Sequence, residues 1–303
     1  MTGEGSPGPV PKPFSMKRIL LLLTSLLLLL PPAGAQTYVS TADDVALGKL
    51  LLERLAAAPT QEPGAQMILA AKGLLGQPYE AGTQEGREER LRIYLTRTDC
   101  ILFAETCLGL VRTVERCGAQ AGFEDLAVTL QQSRYRDGIV DGYPSRLHYT
   151  AEWIRQGEAN GLFEDLSDEL GGVRDSRPIR FMSQHPDSYA PLTGESQYAK
   201  DNRRAIRSVE ERLDTVARYY VPRDRLAGVE ESIQSGDILC FATSIDGLDY
   251  SHVVIAYREH PGDALGFIHA STAAKKVVVE PRTLAAYLKA NSKILGVSVL
   301  RVR

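Results

Sequence analysis

Hydrophobic and polar positions change period along the chain. In "TADDVALGKLLLERLAA" apolar residues recur at helical spacing, with Thr41 or Asp43 placed to cap the helix and Pro59 to stop it. A second helical run, "GAQMILAAKGLLG", ends at Gly76 and gives way to the turn-rich "GQPYEAGTQEG". "ERLRIYLTR" then reads as a strand. From Asp99 to about Glu115 one broad apolar face predicts a helix packed on a sheet. The stretch 119–230 is mixed and loop-rich, with one charged helical run, "KDNRRAIRSVEERLDTV". After Ser235 come short apolar, β-rich runs punctuated by turns: "GDILCFAT", "SHVVIAYRE", "GFIHAS", "KKVVVE" and "ILGVSVLRVR". Their spacing predicts an antiparallel meander. Helices first and sheet last make the fold class α+β rather than a doubly wound sheet.

The N-terminal segment has another logic. Lys17-Arg18, the apolar run "ILLLLTSLLLLL" and Ala33-Gly34-Ala35 form the positive region, apolar core and small-residue site of a secretory signal peptide, cleaved after Ala35. The run Ile19–Leu30 is shorter than the roughly 20 apolar residues that span a bilayer. No cysteine follows it to carry a lipid. The expectation is an exported protein, periplasmic or extracellular, without a stable membrane anchor. Residues 1–15, rich in Gly and Pro, read as an upstream start, with Met16 the initiator. Residues 36–303 then form a single domain, within which 119–230 is read as an insertion.

Composition narrows the chemistry. Lys12, Lys17, Arg18 and Glu4 fall in the leader, so the remainder carries 32 basic against 37 acidic side chains. Such a balance offers no electrostatic footprint for nucleic acid. The four cysteines (100, 107, 117 and 240) include no CxxC pair, and the five histidines no HExxH, so neither metal nor cofactor is expected. Export would permit a disulfide. Cys107, seven residues after Cys100 on the same helical face, reads as core.

Cys100 differs, because in "RTDCILFAETCLGL" it follows Thr98 and Asp99, either of which caps the helix. It is either a small buried hydrophobe or a nucleophile whose thiolate the helix start favours, titrating below the usual value of about 8.5. A nucleophile needs a base and an orienting group. His252 and His269 lie in successive strand runs, which bring them to one face about 5 Å apart when directly opposite. Singly each reads as a partly buried strand histidine; with a helix-start cysteine they suggest a Cys-His-His triad. Within 119–230, "RLHY" places Arg146, His148 and Tyr149 together. Arg146 is suited to fork onto a peptide carboxylate and Tyr149 to stack on a sugar. Alternatively Arg146 pairs with nearby acids, and Tyr149 and Trp153 form one core face. Ser251 and Ser271 flank the histidine strands as candidate substrate contacts, whereas His185 and His260 read as loop residues.

Several of these segments resemble a known family in the same order. "LGQPYEAG" resembles the G-x-P-Y-x-x-G loop of NlpC-type cell-wall peptidases, "TDC" their nucleophile turn, and "GDILCF", "SHVVIAY" and "IHAS" their three strands. More narrowly, "GYPSRLHYTAEWI", "FMSQHPDSY", "GLDYSHVVIAY" and "IHASTAAKKVVVE" resemble the N-acetylmuramoyl-L-alanine amidase group first described as a domain of unknown function. The resemblance spans 60–303. It implies a papain-like fold, Cys100 as nucleophile, His252 as base, His269 as orienting group and Tyr79 beside the cysteine in support of the oxyanion or substrate. It also implies peptidoglycan fragments (muropeptides) as substrate and 119–230 as a wall of the groove. The pattern departs at Ile101, where the family has Ser, and at Val254, where it has Gly. Alternatives are a D-glutamyl–diamino acid endopeptidase of the same fold, a silent wall-binding protein and, more distantly, an acyltransferase.

Overall fold

The computed structural model describes residues 38–86 and 88–303; the leader expected at 1–35 lies outside them. Helix α1 (Ala42–Ala56) begins with a capping box. The Asp44 N–H donates to Thr41 Oγ1 at 3.2 Å and the Thr41 N–H to Asp44 Oδ2 at 3.1 Å. The buried Asp44 carboxylate also accepts from the N–H groups of Leu95 and Thr96, both at 2.8 Å, and from Thr96 Oγ1 at 2.7 Å.

That contact explains a departure from expectation at "ERLRIYLTR". Leu91, Ile93 and Leu95 alternate into the core as a strand would. Yet the backbone forms only an isolated parallel bridge, Val39↔Arg92, before Asp44 takes its amides. A side chain stands where a neighbouring strand was expected.

Helix α2 (Pro63–Gly73) opens with Pro at its first position. Gly76, at φ +86°, turns the chain away from it, a conformation glycine adopts without strain. Helix α3 (Cys100–Cys117) is central. Asp99 caps it, accepting from the Leu102 N–H at 3.0 Å, and Phe103, Ala104, Cys107, Leu108 and Val111 are buried. They pack with residues of α1, α2 and α4 (Phe123–Arg134) on one side and with Val253, Ile255 and Ile268 on the other.

Among the described residues eight strands form one antiparallel sheet. They are β1 (Glu164–Asp165), β2 (Val173–Arg174), β3 (Tyr219–Pro222), β4 (Ile238–Thr243), β5 (Tyr250–Tyr257), β6 (Gly266–Ser271), β7 (Lys276–Val279) and β8 (Ile294–Arg301). The order is β2-β3-β8-β4-β5-β6-β7, with β1 also paired to β8. Strands β4 to β7 are the expected meander, but β8 does not extend it. After helix α8 (Leu284–Ala290) the chain returns to the far edge of β4, with Leu239 opposite Val299. Leu284 and Leu288 of α8 pack with Leu239, Phe241, Phe267 and Val299 and close the second face. With both faces covered, β4 and β5 read as continuous apolar runs rather than alternating ones. The fold is α+β.

The stretch 119–230 contributes to this body. Phe123, Leu126, Leu130, Trp153 and Phe163 belong to the principal core. A separate cluster, including Tyr143, Tyr149, Ile179 and Met182, packs against Ile206, Val209 and Leu213, the apolar stripe of helix α7 (Gln197–Asp214). Helices α5 (Thr150–Ala159) and α6 (Phe181–Gln184) lie between. Among the described residues no helix is long and apolar enough to cross a membrane.

Candidate active site

Cys100 is the first residue of α3, so its backbone lies among the unpaired N–H groups of the helix start. The chain before it is tied down by the "GQPYE" loop. The Thr98 N–H donates to Pro78 O at 3.0 Å, and the Glu80 N–H to Thr98 O at 2.9 Å. The same loop is stitched to the start of β7: the Tyr79 N–H donates to Lys275 O and the Gly76 N–H to Val277 O, both at 2.9 Å. Tyr79 is thereby held at the rim of a cleft of about 910 Å³ that Cys100, His252, His269 and Glu280 also line. The N–H of Val253, the residue after His252, is turned to the Cys100 sulfur.

The two imidazoles meet at 2.7 Å, His252 Nε2 to His269 Nδ1. They are diagonal neighbours rather than directly opposite. The β5–β6 register pairs Ile255 with Ile268, which carried one residue further puts Val254 opposite His269. Side chains two apart on one strand share a face, so His252 reaches His269 across the diagonal. The row continues on β7: His269 pairs with Val278, and Glu280 lies two residues beyond on the same face. Its Oε2 is 3.3 Å from His269 Nε2, an ion-pair distance not aligned as a hydrogen bond. Its Oε1 accepts from Arg282 Nε at 2.5 Å. Arg282 lies over the Tyr287 ring, whose plane meets Phe267 edge-on.

Charge in this row is suppressed. Burial, with His269 alongside, pushes His252 down to about 3. Burial pushes His269 down to about 4 against the opposing pull of Glu280. Both rings are therefore neutral at pH 7. Burial also pushes the Cys100 thiol up to about 12, and the adjacent Asp99 carboxylate adds to the rise. The expected thiol pKa below 8.5 is thus corrected: desolvation and Asp99 outweigh the helix start. Tyr79 is raised to about 12 by burial and by Cys100 and Asp99, so its phenol keeps its proton and can donate.

The other sequence candidates divide between two places. Ser251 and Ser271 line the cleft; Ser251 is exposed, while Ser271 is buried with its Oγ accepting from the Ala274 N–H at 3.1 Å. Arg146, His148 and Tyr149 line a different cavity of about 340 Å³, whose wall includes Asp99 and Ile101. There Arg146 is paired with Glu85 at 2.7 Å and Glu89 at 3.1 Å. His148 Nε2 contacts Tyr143 O at 2.8 Å, and burial with nearby Arg146 keeps the ring neutral. Tyr149, buried like Trp153, donates to Glu210 at 2.7 Å and accepts from the Met182 N–H. Arg146 thus pairs with acids as in the alternative, whereas Tyr149 and Trp153, both buried, fall in separate clusters rather than on one core face. Cys107 and Cys240 are buried, and all four cysteines are free thiols.

Glu280, Arg282 and Tyr287 were not singled out from sequence. Glu280 ends "KKVVVE" like any polar strand terminus, and only the β6–β7 register puts it on the His269 face. Among the described residues no cluster of three His, Cys, Asp or Glu side chains is arranged to hold a metal ion.

The AmiA-like family, described as N-acetylmuramoyl-L-alanine amidase-like, matches residues 70–297. A crystal structure of an N-acetylmuramoyl-L-alanine amidase from Bacteroides uniformis is 33% identical, covering 80% of this chain and 99% of its own, with a TM-score of 0.72. A Bacteroides fragilis structure carrying the provisional name of a xylanase is also 33% identical, covers 77% and 99%, and has a TM-score of 0.70. A Legionella pneumophila protein at 18% identity, covering 86% and 94% with a TM-score of 0.65, shares the fold. No curated protein matches the chain by sequence. A family match across most of the chain, with a one-third-identical amidase aligned over nearly its whole length, shows that this chain belongs to the AmiA-like, N-acetylmuramoyl-L-alanine amidase-like family.

Proposed function

We propose that the protein is an exported, papain-like cysteine amidase that cleaves the bond between N-acetylmuramic acid and L-alanine in peptidoglycan fragments. The observation carrying this reading is the His252–His269 contact. With His252 Nε2 committed at 2.7 Å, its Nδ1 is left as the base for a thiol in the same cleft. The thiol starts neutral, so its proton moves to His252 Nδ1 as the sulfur attacks the lactyl carbonyl carbon. The carbonyl electron pair goes to oxygen, met by N–H groups at the helix start and by the Tyr79 phenol. His252 then protonates the departing alanine nitrogen as the carbon–nitrogen bond breaks, leaving a thioester. Water attacks the thioester, giving its proton to His252, and the thiol is restored as the carboxylic acid leaves.

The cleft also speaks against glycoside hydrolysis. That chemistry commonly needs two carboxyl groups roughly 5–9.5 Å apart across the bond. Among the described residues lining the cleft the only carboxylate is Glu280, and Arg282 holds it. The smaller cavity beside Asp99, walled by residues of 119–230, would extend the substrate groove beyond the nucleophile.

The test is digestion of purified muropeptides followed by mass analysis. Release of the whole stem peptide from the sugar is expected. A sugar retaining L-alanine and D-glutamate would show the endopeptidase instead, and no product at all would favour a silent binding protein. Cys100→Ala should lower turnover by at least about 10⁴-fold with an unchanged melting temperature. Activity within tenfold of the parent would end the cysteine reading.

A further inference from the structure

We propose that Glu280, oriented by Arg282, is a positioning residue that sets the tautomers of both imidazoles, so that His252 presents a bare Nδ1 to Cys100. This rests on the cysteine-amidase reading and deepens it. A neutral imidazole carries one ring proton, and the nitrogen that bears it is fixed by the hydrogen bond the other nitrogen makes. Two neutral rings in contact at 2.7 Å must have one donor and one acceptor. Which is which cannot be decided within the pair, because both arrangements make the same contact.

Glu280 decides it. It is a buried carboxylate, kept below the usual range chiefly by Arg282 in spite of burial, so it only accepts. Among the described residues His269 Nε2 has no hydrogen-bond partner, and Glu280 Oε2 lies 3.3 Å from it as the acceptor toward which an Nε2 proton would turn. The His269 proton therefore belongs on Nε2, which leaves Nδ1 bare. His252 must then donate from Nε2, and its own Nδ1 is bare in turn. One carboxylate thus propagates a proton pattern through two rings to the sulfur. The other groups facing the row leave that order intact: the Tyr287 phenol is edge-on to His269, and the Cys100 thiol is a weak donor.

Arg282 makes the proposal testable. In Glu280→Gln the amide oxygen is drawn to the Arg282 Nε–H that now binds Oε1, which turns the amide NH₂ toward His269 Nε2. His269 must then carry its proton on Nδ1, and His252 on Nδ1 as well. The base is protonated on the wrong nitrogen. Removing the arginine side chain leaves only the longer bond from the residue 282 backbone N–H, at 3.4 Å. The amide then gains access to both orientations, and the original order becomes available again.

The experiment is ¹⁵N spectroscopy of histidine-labelled full-length chain, in which protonated and bare ring nitrogens are well separated. It is combined with steady-state kinetics on muropeptides. The parent should show both rings protonated on Nε2. Glu280→Gln should move both to Nδ1 and lower kcat by about 10²- to 10⁴-fold with little change in KM, as a wrong catalytic tautomer does. Arg282→Ala in that background should return part of the parental pattern, as a mixture of the two orders, and regain at least tenfold in kcat. Parental signals in Glu280→Gln, or a double variant no faster than the single, would overturn the proposal. If Glu280→Gln does not fold, the parental spectrum still decides, because a protonated His269 Nδ1 is incompatible with the relay. The spectra need no substrate, so a chain inert on muropeptides would sink the amidase reading without touching the tautomer result.

Discussion

On one side of the α3 start, Arg134 donates to Glu105 at 2.8 Å and to Gln84 at 3.0 Å, while Arg146 joins Glu85 and Glu89. On the other side Cys100, His252 and His269 are uncharged, and among the described residues His252 makes its ring hydrogen bond through Nε2, leaving Nδ1 uncommitted. Both clusters combine buried with half-buried groups, only Glu85 being exposed, and both border the same helix turn. Charges taken out of water persist only when partnered, and the first cluster partners them with opposite charges. The second removes the charge instead, by shifting protonation. What differs is reserve capacity: a closed ion pair has nothing left to offer a substrate, whereas a neutral thiol sharing a cleft with an uncommitted ring nitrogen has a proton to move.

The largest expected effect follows from that neutrality. With the thiol pushed up to about 12 and His252 down to about 3, no thiolate–imidazolium pair forms at rest. At pH 7 the thiolate fraction would be on the order of 10⁻⁵, so alkylation by iodoacetamide should be slow and climb steadily with alkaline pH. The group is neutral below its raised pKa and reactive only as pH approaches it. An inflection between pH 4 and 8 in the alkylation rate would reveal a preformed ion pair, and the two clusters would then not differ as described.

The next effect tests the closed cluster. Arg146→Ala leaves Glu89, whose side chain is 3% exposed, without its cation. An uncompensated buried charge of this kind costs about 3–5 kcal/mol, readable as a fall in the urea midpoint. Turnover of muropeptides and of a small activated ester should decline together, in step with the folded fraction. Unchanged stability with a raised KM for muropeptides alone would make Arg146 a substrate residue and erase the contrast.

Local features of this architecture were legible and non-local ones were not. The Asp99 cap, the apolar face of α3 and the five C-terminal strand runs follow from neighbours in sequence, and each lies where its pattern predicts. The pairing of His252 with His269 was legible as two histidines on successive strands, but the diagonal geometry depends on a register that composition does not encode. Glu280 was hidden for the same reason. The return of β8 to β4 depends on α8 covering the sheet's second face, a contact between segments distant along the chain. The thiol's upward shift was missed because helix position is local, whereas burial is a property of the whole fold.

The smallest effect concerns Asp44, which belongs to the closed type yet tethers the chain that leads to the nucleophile. Burial alone would raise its carboxyl, but hydrogen bonds from Thr41, Thr96 and Leu95 outweigh that and hold it below its ordinary value. A carboxyl depressed in the folded state contributes stability above its unfolded pKa, and the contribution is lost as pH falls through the folded value. Asp44→Asn keeps an oxygen toward Leu95 and Thr96 but removes the charge that strengthens those bonds. It also turns an NH₂ toward the Thr41 N–H, a pH-independent loss on which the charge-dependent part is superimposed. The expected charge-dependent loss is about 1–2 kcal/mol at pH 7, fully present at pH 5. It begins to close below about pH 4, where the unfolded chain's carboxyl protonates, and is gone once pH has fallen through the lower folded value. Urea melts of both proteins at pH 7, 5 and 3 would measure the gap. A gap that stays constant down to pH 3 would mean that shape rather than charge holds residues 95–96. Asp44 would then be a packing element, and the closed cluster would owe less to charge than Arg134 and Arg146 suggest.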